Sequence, residues 1–159
     1  MILADLIERN AAFAPDKCAA RYQGETWTYG LLADRIATFA RALKSQLDVR
    51  RGDRVAVLAL NHPHYLALLY ACARLGAILV PLNWRLAVPE QMFILSDASV
   101  KALFVAKEFA TVCEALAAAH PDTQIVGLDY TPEHGVALTD ALAGAGGDGR
   151  NPNVEWRTP

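Results

Sequence analysis

The fold of this chain is decided by residues 52–86, which read GDRVAVLALNHPHYLALLYACARLGAILVPLNWRL. After an opening turn, residues 55–60 form an apolar run that predicts a strand, and the next apolar run predicts a helix ending near Leu75. Gly76 suits the left-handed position that commonly follows a helix, and residues 77–82 predict a second strand. Because the first strand is apolar at both alternating positions, both faces of its sheet should be covered, as in a parallel β-α-β unit.

The flanking sequence predicts further elements of the same kind. Gln23 and Gly24 form a turn signal between two short strands, and Thr28 is a good N-cap for a helix over residues 29–47. The remaining predicted elements are an opening helix with Leu3, Leu6, Ile7 and Asn10 on one face, a helix at 89–96, a strand at 101–105, a helix at 107–120, a strand at 124–128 and a helix at 136–143. Strands that alternate with helices predict an α/β fold with a mixed, mainly parallel sheet and helices on both faces.

Length and composition bound the kind of protein. The chain has 159 residues, of which 53% are hydrophobic and 20% charged, and this suits one compact soluble domain. Its net charge of −2 gives no long-range attraction to nucleic acid. The three cysteines Cys18, Cys72 and Cys113 are far apart in sequence and are expected to be reduced. Reduced thiols are typical of the cytoplasm, so a cytoplasmic location is predicted from them. The N-terminal stretch does not resemble a signal peptide, and no segment is long and apolar enough to span a bilayer.

Residues 1–143 are predicted to form the α/β subdomain, and residues 144–159 a flexible linker and tail. The linker is rich in glycine and ends in Asn-Pro, and the tail contains Trp156 without an element to pack it in. Residues 144–149 match G-x-G-x-x-G literally, but the dinucleotide fingerprint needs a strand before it and a helix after it. A chain that ends in this way is expected to be truncated.

Asn61 or His62 is expected to cap the helix that follows the first buried strand, with Pro63 in its first turn. His62 and His64 are two residues apart, and positions i and i+2 do not share a helix face. Capping and solvent exposure are therefore favoured over a metal site, and the chain is predicted to contain no metal site and no catalytic residue.

The tripeptide Asn83-Trp84-Arg85 is the best candidate for a binding site. It follows the carboxyl end of a predicted parallel strand, the edge at which open α/β sheets bind ligands. Arg85 could form paired hydrogen bonds to a phosphate, and Trp84 could stack on a ring. The alternative is that Trp84 packs on the surface while Arg85 forms an ion pair with Glu90.

Four segments in order carry a family resemblance: Thr26-Trp27-Thr28-Tyr29 followed by Leu32, then Gly52-Asp53-Arg54-Val55-Ala56, then Leu75-Gly76-Ala77, then Val80-Pro81-Leu82-Asn83 followed by Arg85-Leu86. At this spacing the chain resembles the N-terminal portion of the acyl-adenylate-forming enzymes, and within them the fatty-acid and aryl acyl-CoA ligases. One departure is Leu31, where the family usually has a Glu that closes a capping box with the Thr28 position. Its absence should weaken the helix start by about 0.5–1 kcal/mol.

The resemblance implies a parent enzyme that uses ATP, Mg²⁺ and CoA to convert a carboxylic or fatty acid into its acyl-CoA through an acyl-adenylate. The family's phosphate loop and catalytic lysine would lie beyond residue 159, so this chain is expected to be inactive and to have the missing remainder of the enzyme as its partner. Arg85 is expected to contact a CoA phosphate, with Trp84 beside it. The resemblance leaves the acyl substrate, a homodimer and peripheral membrane contact open. A free-standing, non-catalytic α/β binding or assembly module is the alternative.

Overall fold

The computed structural model describes residues 3–145. Along this range the elements are α1 (Asp5–Phe13), β1 (Cys18–Tyr22), β2 (Glu25–Thr28), α2 (Tyr29–Ser45), β3 (Arg54–Leu58), α3 (Pro63–Leu75), β4 (Ile78–Pro81), α4 (Val88–Asp97), β5 (Val100–Val105), a 3₁₀ turn (Lys107–Phe109), α5 (Ala110–Ala119), β6 (Gln124–Gly127), β7 (Val136–Ala137) and α6 (Leu138–Ala143). None of the helices in this range is both long and apolar enough to cross a bilayer.

Strands β3 to β7 form a parallel sheet in the order β4-β3-β5-β6-β7, and β1 and β2 form a separate antiparallel hairpin. Residues 52–86 therefore fold into the predicted parallel β-α-β unit. The predicted α/β class with a mainly parallel sheet is confirmed, and the only antiparallel pair in the described range is the hairpin.

Both faces of the sheet are covered, as the apolar sequence of β3 predicts. On one face Val55 and Val57 pack in a core with α2, α3 and α6, which contains Phe39 and Phe104. On the other face, β3 and β5 pack with α4 and α5 in a second core, whose largest members are Leu58, Leu95, Leu103 and Leu116. All four residues from Val55 to Leu58 are fully buried, although they point alternately to the two faces, so this part of β3 has to be apolar at every position.

The predicted caps and turns are present. The backbone N–H of Leu31 donates to Oγ1 of Thr28 at 3.2 Å, so Thr28 caps α2. Gly76 follows α3 with φ +68°, in the left-handed region that favours glycine. Gln23 and Gly24 have φ values of +48° and +87°, as the tight turn of the hairpin requires.

Three local predictions differ from the structure. The predicted helix at 107–120 begins as the 3₁₀ turn, and the predicted helix at 136–143 begins as the two-residue strand β7. Strand β7 pairs with β6, with Val136 opposite Val126, so a pairing distant in sequence sets its conformation. In α1, only Ile7 of the predicted apolar face is buried, while Leu3 and Leu6 are exposed.

An ion pair instead joins helix α1 to helix α3. Arg74 in the last turn of α3 is buried, and its guanidinium forms an ion pair with the carboxylate of Glu8. Of the cysteines, Cys18 is exposed while Cys72 and Cys113 are buried, and burial raises the pKa of the Cys72 thiol to about 12.

The beginning of the predicted linker is in contact with α2. The side-chain amide of Gln46 donates to the carbonyl of Gly144 at 2.8 Å, and Nε of Arg41 donates to the carbonyl of Ala145 at 3.4 Å. The rest of the predicted linker and tail, including Trp156, lies outside the described residues, so the boundary at residue 143 stays a prediction.

The Gly-Asp-Arg turn before β3 fastens the amino edge of the sheet. The carboxylate of Asp53 accepts the backbone N–H of Arg50 at 2.8 Å and lies 3.2 Å from Nζ of Lys101. These contacts lower the pKa of the Asp53 carboxyl, although partial burial acts in the opposite direction as the largest single influence. Asp53 therefore joins the turn to strand β5.

The next residue of the turn, Arg54, ties β3 to the end of α4. Its guanidinium donates to the carbonyl of Gly52 at 2.9 Å, to that of Ser99 at 3.0 Å and to that of Ala98. Ala98 and Ser99 follow the last turn of α4, where backbone carbonyls lack helical partners. One side chain thus satisfies several of the carbonyls that the helix end leaves free.

Replacing Arg54 with Met should lower the free energy of unfolding by about 1–3 kcal/mol, because the aliphatic stem is kept while the donors to three carbonyls, one of them partly buried, are lost. Urea unfolding followed by circular dichroism measures this difference. Arg51→Met, which changes the exposed neighbouring arginine, is the matched control and should be nearly neutral. Equal stability of the two variants would show that Arg54 does not secure the helix end.

Candidate ligand cleft at the carboxyl edge of the sheet

The carboxyl ends of β3, β4, β5 and β6 open into one cleft of about 920 Å³. The tip of the β1–β2 hairpin forms its further wall. The polar and aromatic residues that line it include Tyr22, His62, Trp84, Arg85, Glu108 and Asp129. Parallel strands bring all of their carboxyl ends to one edge, so residues distant in sequence meet there.

Trp84 and Arg85 both line this cleft. Oδ1 of Asn83 accepts the backbone N–H of Arg85 at 3.0 Å, which fixes the turn after β4. The guanidinium carbon of Arg85 lies 4.5 Å from the centroid of the Trp84 ring, within cation–π range. Trp84 keeps 43% of its surface exposed, and its ring centroid is 6.4 Å from that of Phe109.

The alternative pairing of Arg85 with Glu90 is not observed. The carboxylate of Glu90 accepts the backbone N–H of Ala87 at 2.8 Å and so caps the start of α4. Among residues 3–145, no carboxylate forms a salt bridge with Arg85. The guanidinium is therefore positioned by Trp84 while its hydrogen-bond donors stay available to a ligand.

His62 caps α3, which settles the choice between Asn61 and His62. Its Nδ1 accepts the backbone N–H of His64 at 3.1 Å, and Pro63 occupies the first turn as predicted. The expected solvent exposure of His64 is wrong, because its ring lies partly buried under the hairpin. Its centroid is 5.6 Å from that of Trp27, and 4.8 Å from that of His62.

These surroundings keep both imidazoles neutral at pH 7. Burial lowers the pKa of His64 to about 4, with smaller contributions from the charges of His62 and Arg35. Burial also lowers the pKa of His62, although Asp129 and Glu108 act in the opposite direction. The rule that positions i and i+2 do not share a helix face did not predict the contact between the His62 and His64 rings, because His62 is the N-cap and lies outside the helix. The burial of His64 was not predicted either, because the hairpin that covers it comes from a distant part of the chain.

The opposite side of the cleft is acidic. Asp129 follows β6, and its Oδ1 accepts the backbone N–H of Lys107 at 2.7 Å, which joins the ends of β5 and β6. Glu108 follows β5 on the same side. Sequence reasoning missed both residues, although the signal that identified Arg85, a polar residue just after a buried parallel strand, is present at each of them.

Among residues 3–145, one group of side chains has a composition suited to a metal ion. Ligand atoms of Glu114, Glu133 and His134 lie within 4.8 Å of one another, and all three residues are exposed. None of them lines the cleft. Beside its two carboxylates, the cleft presents groups that are typical of a site for an organic anion, namely a guanidinium without an ion pair among residues 3–145, aromatic rings and a capped helix start.

The sequence and the fold are those of a known enzyme family. Residues 7–153 match the model of the AMP-binding enzyme family, and the chain belongs to that family. The indoleacetate–CoA ligase of Aromatoleum aromaticum is 38% identical over an alignment of 161 positions, which covers 100% of this chain and 31% of that protein. The feruloyl-CoA synthase of an Amycolatopsis species is 44% identical over 110 residues, which are 69% of this chain and 22% of that protein.

Solved structures agree. A fatty acyl CoA synthetase of Mycobacterium tuberculosis has a TM-score of 0.78 and 29% identity with this chain, and the match covers 97% of this chain and 30% of that one. The resemblance to the acyl-adenylate-forming enzymes is therefore confirmed, and so is the fold of their N-terminal domain. The chain spans between about a fifth and a third of these relatives and covers only their N-terminal part.

Acid should destabilise the folded chain through His64. Its pKa is about 4 when folded and near 6.5 in an unfolded chain, so the unfolded state takes up a proton first as the pH falls. The contribution of His64 to the free energy of unfolding should be fully present above about pH 6.5 and should be lost as the pH falls towards 4. The expected loss is about 2 kcal/mol, a figure reduced because solvent screens the partly exposed ring. The lowered carboxyl pKa values of Asp48 and Asp53 act only below their ordinary value of 3.8.

Urea unfolding at pH 7, 5.5 and 4.5 measures this loss. His64→Gln should remove much of the pH dependence across the window, and His62, whose pKa burial also lowers, should account for a remaining part. His134→Gln, at an exposed loop position, is the matched control for loss of an imidazole. An unchanged slope in His64→Gln would assign the acid sensitivity to other groups.

Proposed function

We propose that this chain is the N-terminal part of an AMP-forming acyl-CoA ligase. The reaction of the whole protein would be ATP plus a carboxylic acid plus CoA, giving acyl-CoA, AMP and pyrophosphate through an acyl-adenylate. Family membership supports the reaction class, and the names of the similar proteins include a CoA ligase, a CoA synthase and a CoA synthetase. ATP, Mg²⁺ and CoA are proposed as reactants of the whole protein.

The proposed role of this part of the enzyme rests on the guanidinium of Arg85. It is held on the Trp84 ring at the carboxyl edge of the sheet, and no described carboxylate neutralises it. A planar fork of N–H donors matches the oxygens of a phosphate, and CoA carries several phosphate groups. Arg85 is accordingly proposed to bind a CoA phosphate, with Trp84 holding the guanidinium in place.

The proposal divides the two half-reactions between parts of the protein. Transfer of the adenylyl group needs cationic donors and a metal ion fixed around the ATP phosphates. Within residues 3–145, the charged residues that line the cleft are one arginine and, on the opposite side, two carboxylates, a set that suits binding of CoA better than phosphoryl chemistry. The adenylation groups are therefore proposed to lie in the rest of the enzyme.

The acyl substrate is proposed only as a carboxylic acid. The relatives named above act, by their names, on indoleacetate and ferulate, whereas the Mycobacterium tuberculosis protein is named for fatty acyl groups. Both aryl and fatty acids are thus represented among proteins similar to this chain.

In the full-length enzyme, Arg85→Ala should raise the KM for CoA by about ten- to a hundredfold, the effect of losing a charge-assisted hydrogen bond of about 1.5–3 kcal/mol. Acyl-adenylate formation, measured by ATP–pyrophosphate exchange without CoA, should be unchanged. Arg51→Ala, at the opposite edge of the sheet, is the matched control for loss of a positive charge. An equal effect on both half-reactions would remove Arg85 from the CoA site.

The 159-residue chain alone should release no pyrophosphate above background when mixed with ATP, Mg²⁺ and a fatty or aryl acid, because the groups that stabilise the transferring phosphates would be missing. A coupled pyrophosphate assay with the full-length enzyme as positive control tests this. Turnover by the chain alone would contradict the proposed division. Tight binding of CoA without turnover by either protein would favour the alternative of a non-catalytic binding module.

A further inference from the structure

His62 is held on three sides at the rim of the cleft. Its Nδ1 accepts the backbone N–H of His64 at 3.1 Å. The ring centroid of Tyr22, from the hairpin, lies 5.2 Å from that of His62, and the ring of His64 lies 4.8 Å away on its own helix. The imidazole therefore has a fixed position before any ligand arrives.

The contact at Nδ1 determines the tautomer of the ring. A nitrogen that accepts a hydrogen bond carries no proton, so a neutral His62 must carry its proton on Nε2. Among residues 3–145, Nε2 has no hydrogen-bond partner, and it is not among the buried polar atoms left unpartnered. The residue lines the same cleft as Arg85, so an N–H donor with unused capacity is presented there.

We infer that Nε2–H of His62 is a second donor to the phosphate-bearing ligand that Arg85 binds, which makes His62 a ligand-binding residue as well as a helix cap. This inference rests on the proposed function, because it takes the ligand to be CoA. The chemistry of the cleft favours a neutral donor. A protonated imidazole would be attracted to Asp129 and Glu108, whose charges already act on His62, whereas a neutral N–H stays available to an anion.

The tautomer can be tested without a ligand. In multiple-bond ¹H–¹⁵N NMR spectra of the chain at pH 7, the proton of His62 is expected on Nε2. Its Nδ1 should show the shift of an unprotonated nitrogen, and its Nε2 the shift of a protonated one. A proton on Nδ1 of His62 would overturn the inference whatever binds in the cleft.

Binding is tested by titrating CoA into the wild-type chain and the variants His62→Asn, Arg85→Ala and His134→Asn. Asparagine can still cap the helix through Oδ1 but lacks the Nε2 donor, so His62→Asn separates the two roles. It should weaken binding of CoA about three- to tenfold, as expected for one hydrogen bond, with a thermal midpoint within about 2 °C of wild type. His134→Asn should bind as wild type does, and pantetheine, which lacks the phosphates, should bind all four proteins equally weakly.

The outcomes separate this inference from the proposed function. If Arg85→Ala weakens CoA binding and His62→Asn does not, the second donor is refuted and the CoA site stands. If neither variant weakens binding, both assignments in the cleft are refuted. Absence of binding to the wild-type chain up to about 10 mM CoA would also overturn the inference, while the reaction itself is judged by the full-length assays.

Discussion

Strand β3 is buried on both faces and hydrogen-bonded along both edges, and the rest of the described structure is arranged around it. Its partners β4 and β5 run parallel to it, so each connection must cross a face of the sheet and bring a helix with it. The helices complete two cores, one on each side. Since all strands point the same way, the polar residues that follow them collect at one edge, and that edge becomes the cleft.

The two edges of the sheet use charge in opposite ways. At the amino edge, Asp53 and Lys101 form an ion pair and Arg54 is committed to backbone carbonyls. At the carboxyl edge, Arg85 rests on an aromatic ring, with no described carboxylate in ion-pair contact. An arginine whose N–H groups already donate to protein acceptors stabilises the fold, whereas an arginine whose N–H groups have no protein acceptor can bind a ligand. The local partners of an arginine therefore distinguish its roles better than its burial does.

Much of the fold follows from local sequence because the signals in residues 52–86 are strong. A strand covered on both faces must be apolar throughout, and the helix after it has His62 and Pro63 at its start and Gly76 at its end. The same local rules placed Arg85 at the carboxyl edge of the sheet. Strand β7 was not predictable in this way, because two residues carry no periodicity and their conformation depends on pairing with β6.

Side-chain environments that depend on distant segments of the chain also could not be predicted from the local sequence. The partial burial of His64 comes from the hairpin and from Phe39 in α2, neither of which is adjacent in sequence. The ring contact between His62 and Tyr22 has the same origin. Glu108 and Asp129 differ, since each follows a buried strand and the rule that identified Arg85 would have identified them as well.

The succession of strands in the sheet has a consequence for how such a protein is made. Strands β3 to β6 pair with neighbours that lie within about fifty residues along the chain, and the last wall of the cleft is completed by Asp129. During synthesis, domains generally fold as units from the N-terminus onward. In the longer relatives, the strands that shape this cleft would leave the ribosome while most of the polypeptide was still to be translated.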